Sequence, residues 1–286
     1  MIPTIPTPRA FRIVYAAYIV AFFVYLVAPL VVVAAFAFND SLFPSLPWNG
    51  FTLDWFFADA DPRVGLFHDR SLLESIGVSV FVAFWVTLLS VGVGTCNAFL
   101  FEREKFPFRN LLYVLMLTPL VIPGVILGIS ILVFSHSVIE WADSLFGVDL
   151  GFLRPGLPLV VLGQFAFITT ITTLVISARL RKFDTTLEEA ALNLGATRLG
   201  AVWTVTVPFL KPALIGSAIV AFLMSFENFN TTLMVVGSDA PLTIEMFGRL
   251  REGSTPVLNA VSLMLMLVSG TLAVLSIFAQ RERGKS

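Results

Sequence analysis

Charge is scarce in this chain. Asp, Glu, Lys and Arg together make up 13% of its 286 residues, and 57% are apolar. A soluble domain carries about 25% charged residues, so the composition excludes an ordinary water-soluble protein and points to one integral to a membrane. Cysteine is scarcer still. Cys96 stands alone inside an apolar run, which excludes an intrachain disulfide. The two histidines, His68 and His136, lie far apart and bring no second ligand type with them, so no metal-ligand cluster is legible. No G-x-x-x-x-G-K-[ST] stretch occurs, and the chain therefore cannot hydrolyse ATP by itself. An intramembrane enzyme would need a convergent Ser/His set, paired Asp residues or an H-E-x-x-H helix within its apolar runs, and none is present. No cofactor and no nucleic-acid partner is expected.

What the chain does have is length in its apolar runs. A helix crossing a bilayer needs about 20 apolar residues. Six stretches meet or approach that length, at about 11–38, 71–101, 110–134, 157–178, 212–236 and 257–279. They predict an all-α integral membrane protein with six transmembrane helices, flanked by a proline-rich tail over 1–10 and a basic tail over 280–286. Arg9 and Arg12 before an apolar run, with Ala35-Phe36-Ala37 after it, imitate a secretion signal. A signal's apolar region is only about 7–15 residues long, so the first run reads as an uncleaved helix, with Pro29 as a possible kink.

Individual residues refine these spans. Pro119 and Pro123 should bend the third, and Gly124 with Gly128 forms a small-xxx-small face for close helix packing. Gln164 and the hydroxyl cluster Thr169, Thr170, Thr172 and Thr173 read as interhelical hydrogen-bond glue, as does Asn97. His136 reads as interfacial. Glu102-Arg103-Glu104-Lys105 is a tight charged turn. The polar stretches 39–70, 135–156 and 237–256 are expected as loops, the first carrying Trp48 and Trp55, which suit an interface.

Six spans put both termini on one side, and basic residues decide which side that is. Of the 18 Lys and Arg residues, 13 fall with the termini and 5 on the other face. The termini, and the loop 179–211 between the fourth and fifth spans, are therefore expected in the cytoplasm.

That loop has its own grammar. Thr185-Thr186-Leu187-Glu188 has capping-box spacing, repeated one residue on by Thr186 and Glu189. Glu188 and Glu189 would lie in a first helical turn, where the macrodipole favours negative charge. Ala190, Ala191, Leu192 and Leu194 are good helix formers. Gly195 is placed to end the helix in a left-handed cap. A second piece, about Arg198 to Thr206, could follow as far as Pro208.

Glu189-Ala190-Ala191, Gly195 four positions after the second alanine, and the close Val205-Thr206-Val207-Pro208 resemble the EAA loop of binding-protein-dependent ABC transporter permeases. Val205 and Val207 stand where that family usually has Ile and Leu. Further stretches resemble spermidine/putrescine-type permeases, in particular their second permease subunit: Phe38-Asn39-x-Ser41, Trp48-x-Gly50-Phe51-Thr52-Leu53-x-Trp55, Pro119 to Gly124, and Phe222 to Val236 with Pro241-Leu242 and Asn259-Ala260. The resemblance implies a type I ABC importer permease fold in the bacterial inner membrane. It implies a second homologous permease, an ATP-binding cassette ATPase dimer that holds ATP and Mg, and a periplasmic solute-binding protein, all in membrane lipid. It further implies that Glu188, Glu189, Ala190, Ala191, Gly195 and Pro208 belong to a cytoplasmic coupling helix docked on the ATPase.

The same group commonly has adjacent carboxylates in the fifth span. This chain has Ser225-Phe226-Glu227-Asn228, with one acid replaced by an amide. An intramembrane acid is costly and normally faces a cavity or a partner. Glu227 is the candidate contact for a cationic solute, with Asn228, Asn230, Thr231 and Thr232 as neutral hydrogen-bonding groups beside it. Pairing with the partner permease, or support of a helix break, is the competing reading of Glu227. A polyamine is the expected solute. An amino acid or opine-like compound and ferric iron are alternatives within the importer class. An ion-gradient transporter is a more distant one, since no clear internal repeat is visible and only Glu227 lies deep in a span.

Overall fold

A computed structural model describes residues 8–44, 46–61, 63–253 and 255–281. In chain order it contains α1 (Arg9–Phe36), α2 (Asp54–Phe57), a hairpin of β1 (Asp59–Ala60) and β2 (Arg63–Val64), α3 (Arg70–Arg103), α4 (Arg109–Val121) and α5 (Gly124–Phe146). It continues with α6 (Leu157–Leu180), α7 (Thr186–Asn193), α8 (Arg198–Ala201), α9 (Val207–Phe226), α10 (Asn230–Val235), α11 (Leu242–Glu252) and α12 (Val257–Arg281). A π-helical turn, Val202–Thr206, joins α8 to α9. Five helices are long and apolar enough to cross a membrane: α1, α3, α5, α6 and the continuous run Arg198–Phe226. Two shorter apolar helices, Arg109–Val121 and Val257–Thr271, accompany them. Most of the expected terminal tails lies outside the described residues, and helix is already present at Arg9.

The boundaries differ from expectation where proline and glycine act. The third run is two helices. Pro123 has no N–H and biases its predecessor toward extended backbone; Ile122 takes φ −75°, ψ 128° and ends α4. Pro119, by contrast, stays inside α4. The restarted helix α5 continues past residue 134 to Phe146 and stops at Gly147, whose φ of 62° is left-handed. The fifth run begins earlier than expected and breaks at Glu227–Phe229, between α9 and α10. The polar stretch 237–256 holds the helix α11, and 39–70 holds α2 and the hairpin.

The chain forms two compact units. The first comprises Met1–Arg70 and Arg249–Val268. Its helix α1 buries none of its residues. After α1 the chain folds back through Asp40 N–H to Gly50 C=O and Thr52 N–H to Phe38 C=O, each 2.9 Å. Buried Trp55 donates its indole N–H to the Asn39 carbonyl at 2.8 Å, so the ring's one polar atom is satisfied. Arg63 joins Asp40 and Asp54 and lies over the Trp55 ring. Arg249 forks onto both carboxylate oxygens of Asp69.

The second unit comprises Ser71–Gly248 and Ser269–Ser286. Its centre is α6, the most buried of the long helices. Along α3 the buried positions Ser75, Ser79, Val82, Ala83, Val86, Ser90, Gly94 and Ala98 recur every three or four residues, one narrow stripe of mostly small side chains. The stripe lets α3 approach α6 closely. A Cβ built on Gly94 would meet the Thr172 Cβ and the Thr173 amide at 3.1 Å. The expected threonine glue forms here. Thr172 donates to the Ser90 carbonyl and Thr170 to the Met116 carbonyl, both at 2.7 Å, which ties α6 to α3 and α4. Thr173 instead bonds back to Thr169 on its own helix. Asn97, expected to join this glue, is half-buried and makes no interhelical hydrogen bond among the described residues. The Gly124–Gly128 face does pack closely, and its partner is α10.

Candidate coupling segment and helix-break site

Two places in the second unit carry the candidate residues: the segment between α6 and α9, and the break between α9 and α10.

The first is built around α7. Its C-terminus ends as expected. Gly195 has φ +93°, its N–H donates to Leu192 C=O, and the Ala196 N–H reaches Ala191 C=O, which together make a Schellman cap. Its N-terminus does not. Thr185 is helical and caps nothing. The cap is Asp184, whose Oδ1 accepts from both the N–H of Thr186 (3.0 Å) and its hydroxyl (2.8 Å). Those two bonds hold the Asp184 carboxyl below the usual carboxylate range. No capping box forms because Glu188 is committed elsewhere.

Glu188 turns inward. One carboxylate oxygen accepts from Arg103 at the end of α3, and the other from the hydroxyl of Thr206 in the π-turn. The Arg103 guanidinium is itself held over the rings of Phe99 and Phe183, each 5.3 Å from its carbon. Burial pushes the Glu188 carboxyl up, but the hydrogen bonds from Arg103 and Thr206, with the charge of Arg103, outweigh that and leave it below the usual range. A carboxyl depressed in the folded state stabilises fully above its unfolded pKa and loses that contribution as pH falls through the folded value. The joint is therefore closed at neutral pH.

The other expected coupling residues face out. Glu189, Ala190, Gly195 and Pro208 are exposed and Ala191 is half-buried. Large apolar side chains are exposed with them: Leu187, Leu194 (90% exposed), Leu199 and Trp203. Pro208 does not end the second helical piece as expected. It sits at the second position of α9, directly after the π-turn, and the helix runs on. Its missing N–H removes a hydrogen bond to the preceding turn, and a five-residue π-turn at that point is the local answer.

The second place is the break at Glu227–Phe229. Four side chains form a directed chain of hydrogen bonds across it. The Ser225 hydroxyl donates to Gln164 Oε1, Gln164 Nε2 donates to the Thr232 hydroxyl (2.8 Å), and that hydroxyl donates to Asn228 Oδ1 (2.9 Å). The backbone N–H of Thr232 also donates to Asn228 Oδ1, at 3.2 Å. Gln164, Ser225 and Thr232 are buried. Each such bond is worth about 0.5–1.5 kcal/mol net, and a buried polar group left without one costs about 1–3 kcal/mol. Breaking the helix inside an apolar environment is tolerated only where neighbours satisfy the freed groups; here Asn228 Oδ1 takes the Thr232 N–H, and the Thr243 hydroxyl donates to the Asn228 carbonyl at 3.1 Å.

Both breaks border one cavity of about 290 Å³, lined by Pro119, Ile122, Gly124, Asn228, Asn230 and Thr231 with apolar neighbours. The structure thus brings together Asn228, Asn230 and Thr231, three of the five residues expected on the solute's path. Glu227 is not in that lining. It caps α9 through its backbone N–H, is exposed, and its carboxylate makes no hydrogen bond or ion pair among the described residues. Asn228 is more restricted than the sequence implied: its oxygen is occupied by Thr232, so it offers the cavity only N–H donors. A larger cavity, about 710 Å³, is bordered by Leu132, Ser135, His136 and Arg154 and holds none of the candidates. His136 there lies 3.5 Å from Glu140. Sequence reasoning missed Arg103 and Thr206, whose only signal was a charged turn and a position inside the loop motif, and the part that Ser225 plays.

Broken apolar helices around a small cavity with three polar side chains in its lining, and a short helix tied to the ends of the long ones, are the architecture of a multi-pass membrane protein. Residues 91–284 match the family described as the binding-protein-dependent transport system inner membrane component, and the chain belongs to that family. It is similar to the putrescine transport system permease protein PotI of Escherichia coli (strain K12), 28% identical over 260 residues, which is 89% of this chain and 86% of that one. It is also similar to the spermidine/putrescine transport system permease protein PotC of Haemophilus influenzae, 25% identical over 93% of this chain and 96% of that one. Its fold is shared with a bacterial alginate ABC transporter solved in complex with an alginate pentasaccharide-bound periplasmic protein, with a TM-score of 0.70, 14% identity and coverage of 97% and 96%.

Proposed function

We propose that this chain is the membrane-spanning permease subunit of an ATP-driven, binding-protein-dependent importer of a polyamine such as putrescine or spermidine. It would work with a second permease, an ATPase dimer that binds ATP and Mg, and a periplasmic solute-binding protein. The observation that carries the solute is Glu227, an exposed carboxylate with no side-chain partner among the described residues, placed where a span breaks. The likeness to polyamine permeases over about nine-tenths of the chain supports the same reading. We read six spans, with α4 and α5 serving as one interrupted span, and both termini in the cytoplasm of a bacterial inner membrane. Segment 179–211 then faces the ATPase. Glu189, Ala190, Ala191 and Gly195, with Leu194, Leu199 and Trp203 around them, form the docking face, and Pro208 sets the π-turn behind it.

A zwitterionic solute such as an amino acid or opine is the second reading. Asn228 favours it, because N–H donors receive a carboxylate and not an ammonium group.

The test is ATPase activity of the reconstituted complex with its own binding protein. Putrescine or spermidine is expected to stimulate it. Stimulation only by amino acids, opines or ferric iron sinks the polyamine reading. Glu227→Gln is expected to lower uptake of a cationic solute about tenfold, the equivalent of about 1.4 kcal/mol, with the complex still assembled; normal uptake would remove Glu227 from the path. Coupling has its own check in Gly195→Asp. A side chain at positive φ costs about 1–3 kcal/mol, and a carboxylate opposes the negative end of α7. Solute-stimulated ATPase is expected to be lost in this variant, and in Glu189→Lys.

A further inference from the structure

We propose that Arg103 is a positioning residue for coupling: with Thr206 it locks Glu188 so that α7 moves together with the end of α3 and the π-turn that begins α9. This rests on the reading of α7 as the coupling segment.

Three observations carry it. Among the described residues, Glu188 is the one α7 side chain that hydrogen-bonds to another long element, and it does so twice, to α3 through Arg103 and to the π-turn through Thr206. Most other α7 side chains face solvent, so a push on that face has one polar route inward. Arg103 is preorganised to hold that route. Phe99, one turn earlier on α3, and Phe183 in the turn before α7 clasp its guanidinium. The end of α3 is separately fixed to the C-cap of α6, where Arg181 forks onto Glu102 at 2.9 and 2.8 Å. Thr206 is fully buried and lies in the one π-turn among the described residues. A π-turn is a single-turn irregularity that recurs at functional sites, and here it opens the helix that ends at the Glu227 break. Displacing Glu188 therefore loads the start of α9 directly, and Arg103 keeps the carboxylate from swinging out to water instead.

The test uses the whole complex of this chain with its permease partner, ATPase and binding protein. Arg103→Met keeps an unbranched apolar stem and removes the guanidinium and its charge; Arg103→Lys keeps a charge. The readout is solute transported per ATP hydrolysed, with recovery of the assembled complex as the control. Arg103→Met is expected to assemble and to lower that ratio about tenfold, within the usual range of coupling effects. Arg103→Lys is expected to recover most of it. A normal ratio in Arg103→Met, while Gly195→Asp uncouples, overturns the proposal and leaves the coupling reading standing. A normal ratio in both variants overturns the coupling reading as well. If Arg103→Met does not assemble, Thr206→Val decides. It removes only the second bond to Glu188, and is expected to lower the ratio several-fold; an unchanged ratio there overturns the proposal.

Discussion

Replacing Gly128 by valine is expected to abolish transport and to lower the yield of assembled complex severely. A Cβ at this position would stand 2.8 Å from the Cβ of Met234 and 2.9 Å from the carbonyl oxygen of Thr231. Neither atom is the free end of a flexible side chain, so α10 as a whole would have to move. Overpacking of this kind typically costs about 1–3 kcal/mol, occasionally more. At Gly128 the displaced element also carries Thr231 and Thr232. The first donates to the Gly124 carbonyl and the second belongs to the hydrogen-bond chain across the break. Moving α10 therefore unmakes the polar network and the packing together, which makes this the larger of the two main expected effects. Gly77 is the matched control on another helix. A Cβ there meets nothing within 4 Å, and Gly77→Val is expected to assemble normally. Equal yields of both variants on purification would show that α5 does not rest on α10 as described.

The Gly124–Gly128 contact was legible in the sequence because small residues four apart on a helix have one structural use in an apolar medium. The left-handed end at Gly195 was legible for the same reason: one residue type, one backbone need. The interruption at Pro123 was only half legible. A proline marks a disturbance, yet whether the helix continues, as at Pro119, or stops, as at Ile122, depends on what neighbours can satisfy the freed groups. The charged segments were least legible. Thr185 and Glu188 have the spacing of a capping box, but Arg103 lies 85 residues from Glu188 in sequence, and a charged partner outbids a backbone N–H for a carboxylate. Pattern reasoning sees only local partners, so it assigned Glu188 outward with its neighbours. The helix α11 was lost inside a stretch read as a polar loop because its Glu245, Arg249, Arg251 and Glu252 resemble loop composition, while the helix is anchored by Leu242, whose N–H donates to Ser79 of α3 at 2.8 Å.

Gln164→Leu is the second substitution with a large expected effect, and its comparison with a triple variant separates stability from function. Gln164 is both acceptor and donor in the middle of the chain of hydrogen bonds. Its loss leaves the buried Ser225 hydroxyl without its acceptor and the buried Thr232 hydroxyl without its donor. A buried group left unpaired costs about 1–3 kcal/mol, so the single variant is expected to be clearly less heat-stable in detergent and to transport poorly. Adding Ser225→Ala and Thr232→Val removes the orphaned groups. Replacing all partners by apolar groups of similar shape is nearly neutral, so the triple variant is expected to regain much of the stability. Transport is expected to stay low, because Asn228 then loses the Thr232 hydroxyl and keeps only the backbone N–H as a hold on its oxygen. Its N–H donors would no longer be fixed toward the cavity shared with Asn230 and Thr231. Recovery of both stability and transport would make the network structural glue alone. Recovery of stability without transport would place the orientation of Asn228 on the solute's path.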